Sequence, residues 1–75
     1  MTTETGRETV TPLEAFQLPW NKQMQVDSVT FDTGVRLLRL RFREGKRFTI
    51  VDLDADTASR LADMLRAWCE AEEPA

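Results

Sequence analysis

Val35-Arg36-Leu37-Leu38-Arg39-Leu40-Arg41-Phe42-Arg43 alternates strictly from Leu38 onward. Leu38, Leu40 and Phe42 leave one side of the chain, and Arg39, Arg41 and Arg43 leave the other. A period of two marks a β-strand, because successive side chains point to opposite sides of the pleat. One face of this strand is apolar and suited to a core. The other is a row of arginines.

Asp32-Thr33-Gly34 lies just before it, with glycine third in a three-residue loop, where a left-handed backbone is required. Residues 24–31 then form the preceding strand. The loop sets the register: Phe31 opposite Val35, Val29 opposite Leu37, Asp27 opposite Arg39, Val26 opposite Leu40, Met24 opposite Phe42. On the other side, Glu44-Gly45-Lys46 leads into a strand over residues 47–53. A three-residue loop there pairs Phe42 with Phe48 and Leu40 with Ile50, and the apolar match favours that register.

A helix follows Leu53. Asp54 and Asp56 are both suited to cap it and to the positive end of its dipole. Ala58, Leu61, Ala62, Leu65, Trp68 and Cys69 recur at the spacing of one apolar stripe. The expected fold is α+β: a three-stranded antiparallel β-meander with one C-terminal helix packed on one face (βββα). Its core would set Met24, Val26, Leu38, Leu40, Phe42, Phe48 and Ile50 against Leu61, Leu65, Trp68 and Cys69.

The 75 residues make a single domain near the lower size limit for an unaided core. Residues 1–12 read as a disordered tail, Thr- and Glu-rich. Residues 13–22 read as an irregular apolar segment lying against the domain, with Pro12 and Pro19 interrupting Leu13, Phe16, Leu18 and Trp20. Residues 72–75 are expected to fray. With one cysteine and no histidine, neither a disulfide within the chain nor a zinc-type ligand set can form. No stretch has the roughly 20 apolar residues of a membrane span, and no signal-peptide pattern opens the chain. A cytoplasmic setting is the expectation. The net charge of −3 hides a basic middle between acidic ends: residues 21–53 carry +3 and residues 54–75 carry −4.

The second sheet face divides into two zones. Val29, Phe31, Val35, Leu37, Val51 and Leu53 form an apolar zone that calls for a cover. Either residues 13–20 or a second copy of the chain could supply it, and a homodimer or protein partner is expected there. Arg39, Arg41, Arg43 and Arg47 form the other zone, a basic platform for phosphates spaced along a nucleic-acid strand. Asp27 opposite Arg39 offers a competing explanation, a cross-strand ion pair.

Other chemistry is less well supplied. Asp52, Asp54 and Asp56 are explained by helix capping without a metal. Cys69 and Trp68 fall on the helix stripe, as core residues do. No serine has a histidine to activate it, and no glycine-rich phosphate loop is present. No cofactor is called for, and an enzyme is the least supported class.

Residues 46–53 and the helix after them resemble the strand and first helix of ribbon-helix-helix repressors. That likeness implies Arg47, Thr49 and Val51 as groove-facing positions. The βββα layout is similar to that of the positive-coactivator family of dimeric single-stranded-DNA binders, which has four strands. Leu18-Pro19-Trp20-Asn21 and the run from Arg43 to Asp54, REGKRFTIVDLD, look like small bacterial proteins of unknown function, over residues 18–69. That last resemblance implies a bacterial origin and no activity.

The reading is a non-catalytic binding or accessory module acting as a homodimer or with a protein partner. The alternative is single-stranded nucleic-acid or phosphate binding through the arginines. Arg41→Glu would then abolish phosphate binding and leave the fold, whereas Leu37→Glu would break a dimer.

Overall fold

The computed structural model describes residues 3–5 and 8–72. The expected disorder of residues 1, 2, 6 and 7 and the expected fraying of residues 73–75 lie outside them. The chain forms one antiparallel sheet followed by a C-terminal helix, an α+β architecture. The strands are β1 (Thr3–Thr5), β2 (Glu8–Leu18), β3 (Lys22–Phe31), β4 (Arg36–Glu44) and β5 (Arg47–Leu53), adjacent in chain order. The helix, α1, spans Ala55–Glu72.

The pairing of β3 with β4 is the one the sequence dictates. Met24 faces Phe42, Val26 faces Leu40, Asp27 faces Arg39 and Val29 faces Leu37. The joining turn closes through Phe31 N–H donating to Val35 O and Gly34 N–H to Phe31 O, both at 2.9 Å, with Gly34 at φ +92°. Glycine meets that backbone without the clash a Cβ would bring.

Residues 8–18 are neither a disordered tail nor an irregular segment. They form β2, which pairs along the whole of β3, from Glu8 opposite Phe31 to Leu18 opposite Lys22. Thr9, Val10 and Thr11 are β-branched and suit a strand. The register shifts between Pro12 and Glu14. A bulge is where a strand accepts a proline, which has no N–H for the ladder. The extra residue, Leu13, lines a cavity beside Leu38, Leu53 and Ala58 of the helix corner.

The β2–β3 connection is a short turn, Pro19–Asn21, in which Trp20 (φ 59°) and Asn21 (φ 63°) are left-handed. That backbone is uncommon for a bulky aromatic residue. Trp20 does not lie against the domain: it is 87% exposed at the hairpin tip.

The β4–β5 register differs from the expected one by one residue. Glu44 faces Arg47, so Phe42 pairs with Thr49 and Leu40 with Val51. The loop is the two residues Gly45-Lys46, with positive φ at Gly45 (+61°). A two-residue hairpin loop needs positive φ at its first central position in both favoured turn types, which glycine there satisfies. Turn chemistry thus outweighs apolar matching, and β5 is turned over. Val51 and Leu53 join Leu38 and Leu40 on the helix side, while Phe48 and Ile50 move to the arginine side.

Asp54 alone separates β5 from α1 and caps the helix. The Thr57 N–H donates to Asp54 Oδ1 and the Ala58 N–H to Asp54 O, each at 2.9 Å. The helix touches β4 and β5 near its start and then leaves the sheet. Leu61, Leu65 and Trp68 are therefore 40%, 55% and 58% exposed. Cys69 is exposed as well, not buried in a core. Among the described residues, Val29 is the one apolar side chain that is fully buried.

Candidate functional site

The arginine side of the sheet is built by alternate residues of four strands. Arg39 lies at its centre. Its Nε donates to Asp52 Oδ1 at 2.8 Å and its Nη2 to Asp52 Oδ2 at 3.0 Å, a bidentate fork from β4 to β5. Its Nη1 reaches Glu8 Oε1 on β2 at 3.0 Å. Asp52 is held below the ordinary carboxylate range, mainly by the hydrogen bond from Arg39. Arg39 is raised, mainly by the same bond, and is charged at all ordinary pH values. This guanidinium is committed to holding three strands together.

Asp27 is buried and does not pair with the arginine directly opposite it. Its Oδ2 lies 3.4 Å from Arg41 Nε, one pair along the ladder, and its Oδ1 accepts from Gln25 Nε2 at 3.0 Å. Two carboxylates already occupy Arg39, so the diagonal partner takes Asp27. Arg43 donates from Nε to Gly45 O at 3.2 Å and lies over the Phe48 ring, 5.9 Å from its centroid. Among the described residues it has no carboxylate partner.

Arg47 is not part of this group. Its pairing with Glu44 places it on the helix side of the sheet. The four arginines read from the sequence as one platform are thus divided: Arg39 and Arg41 are ion-paired, Arg43 packs on an aromatic ring, and Arg47 faces the other way. Thr49 and Val51, the other groove-facing positions implied by the repressor likeness, share the face of Arg47.

The apolar zone expected beside the arginines is divided too. Val29 is buried within the chain, between its strand partners Val10 and Leu37. Phe31 and Leu37 share its face and are half-buried. Val35 sits at the end of the turn, 52% exposed. Val51 and Leu53 belong to the helix side. The six do not make one interface.

Two features were not read from the sequence. The first is a groove of about 340 Å³ on the arginine side, lined by Gln17, Gln23, Gln25, Arg41, Arg43 and Phe48. The period-two glutamines Gln23 and Gln25 could have signalled a polar strip there. The second is the uncovered helix side. Phe16 and Val51 on the sheet are 45% and 40% exposed, and the apolar stripe of α1 is exposed as well.

Among the described residues no group of carboxylates and thiols is arranged to hold a metal ion. No helix among them is long and apolar enough to cross a membrane.

The sequence profile of the DUF6967 family, a family of unknown function, matches residues 7–71. The chain belongs to that family. The match spans β2 through nearly all of α1, so the bulged strand and the exposed helix lie within the DUF6967 region. No curated protein and no solved structure matches the chain. The family description assigns no activity.

Proposed function

We infer that this DUF6967 chain is a non-catalytic binding or accessory module whose working form is a homodimer. The observation that supports this is surface area. The chain exposes 6382 Å². A folded monomer of 8.6 kDa exposes about 4,700 Å². Part of the difference is the exposed apolar surface of Phe16, Val51, Leu61, Leu65 and Trp68, which a homodimer interface would cover. Dimension agrees with area: the radius of gyration is 14.6 Å, against about 11 Å for a compact chain of this length.

A dimer whose folding and association are coupled becomes more stable as protein concentration rises. The urea midpoint of the wild-type chain should therefore increase between low and high micromolar protein. A midpoint independent of concentration would count against the reading.

A second reading rests on the groove beside Arg43. Arg43 and three glutamine amides could hold a small phosphate-bearing ligand there, with Phe48 as an apolar wall. Anisotropy of a labelled single-stranded oligonucleotide at roughly 50 and 200 mM salt tests it, because each phosphate neutralised steepens the loss of affinity with salt. Binding removed by Arg43→Ala, and unaffected by Arg47→Ala on the other face, supports this reading. No binding at the lower salt excludes a nucleic-acid strand as that ligand.

A further inference from the structure

Helix α1 presents an apolar stripe to solvent, while the helix side of the sheet carries apolar residues that the helix covers only at one corner. Val51, Phe16 and Phe42 make up the open part of that seat. Leu61, Leu65 and Trp68 make up the idle stripe. We propose that in the homodimer each α1 lies across the helix side of the partner's sheet, the two copies exchanging helices about a two-fold axis. This rests on the homodimer reading and adds which surfaces meet.

Three observations single out a second copy as the occupant. The joint is the first. Asp54 is the one residue between β5 and α1, and it is fixed by two hydrogen bonds to the first helical turn. A joint this short sets the helix direction and gives it no slack to fold back over its own sheet. Short connections of this kind favour exchange of an element between copies.

Size is the second. An 18-residue helix is about 27 Å long, and the nine residues of β4 extend about 30 Å, so one helix spans one strand direction. The third is that stripe and seat occur on the same chain. Under two-fold symmetry two copies satisfy both at once. An unrelated partner would have to bring a seat for the helix and a separate cover for the sheet.

The test is a mixing experiment read by sedimentation velocity. Leu65→Glu places a charge on the stripe, and Val51→Glu places one on the seat. Each variant alone should dissociate at least 100-fold more readily than wild type. Mixed in equal amounts, they should regain a dimer. One wild-type helix then meets one wild-type seat, and the two substitutions share the other contact. Ile50→Glu, on the arginine side, should leave the dimer intact.

A wild-type monomer would overturn the homodimer reading itself. A wild-type dimer that Leu65→Glu leaves intact, or single variants that fail to complement, would retain the dimer and overturn the helix exchange. Isotope-filtered nuclear Overhauser spectra of mixed labelled and unlabelled wild-type protein give a measurement free of any folding defect in the variants. Contacts of Trp68 and Leu65 with Val51 and Phe42 should run between copies. If those contacts are all within one copy, the proposal falls.

Discussion

Arg39 grips Asp52 through two parallel hydrogen bonds, Nε to Oδ1 and Nη2 to Oδ2, across the β4–β5 ladder. The two residues are also strand partners, so the fork runs straight across the pair. Its third contact, to Glu8, carries the tie to β2. Replacing Arg39 by Met keeps its stem and removes its charge. A loss of about 1–2 kcal/mol is expected in urea titrations, toward the lower end because Asp52 is partly exposed. Arg39→Lys should recover less than half of the loss, since an ammonium cannot form the fork. Equal stability of Arg39→Met and wild type would show that the fork is decorative.

Arg41 neutralises Asp27, whose side chain is 3% exposed. Removing one partner of a buried, bonded charge is costly because the other is left uncompensated. Arg41→Glu would also set a second carboxylate beside Asp27. It should therefore lower the thermal midpoint, by about 1–3 kcal/mol in stability, and it is not the binding-only substitution that the alternation alone suggests. Circular dichroism melts of Arg41→Glu and of Arg41→Glu/Asp27→Asn check this, the second being the more stable. The reverse order would contradict the pairing.

Acid should loosen the protein at two joints. Asp52 is lowered by Arg39, and Asp54 is lowered by its hydrogen bonds with Thr57, the side-chain bond leading. A carboxylate with a depressed folded-state pKa stabilises the fold fully above its ordinary value near 3.8, and loses that contribution as pH falls through the folded value. The melting midpoint should be steady toward neutral pH and fall below about pH 4. Asp52→Asn combined with Asp54→Asn should flatten that fall and lower the neutral plateau. An unchanged acid limb would show that other carboxylates control it.

Gly45 fixes the register of β5. A Cβ there would meet nothing within 4 Å, so the cost of a side chain is purely conformational. Gly45→Val should destabilise by about 1–2 kcal/mol, the cost of a left-handed residue bearing a Cβ. Gly45→Asn should cost less, since asparagine tolerates that region. A valine variant as stable as wild type would contradict the positive-φ turn.

The contrast between β3–β4 and β4–β5 shows what the sequence makes legible. Leu38, Leu40 and Phe42 alternate against arginines, so only one register keeps the faces distinct, and Asp32-Thr33-Gly34 agrees with it. In Phe48-Thr49-Ile50-Val51-Asp52-Leu53 both alternating sets are largely apolar. Either face could be inside, and the position of Gly45 decides. The helix and its Asp54 cap follow from spacing and capping chemistry. β2 was obscured by Pro12, which reads as a strand breaker and in fact sits at a bulge. The exposed helix stripe is a matter of direction set by a one-residue joint, which periodicity does not encode. The arginines were visible as residues, but their partners depend on the β5 register and on Glu8 of the unread strand.

The most direct test of the homodimer is sedimentation equilibrium of the untagged wild-type chain over a range of micromolar concentrations. A mass of about 17 kDa, twice the 8.6 kDa of one chain, is expected, falling only on strong dilution. A mass of 8.6 kDa throughout that range would contradict it, leaving a stable monomer with its helix stripe and sheet face bare.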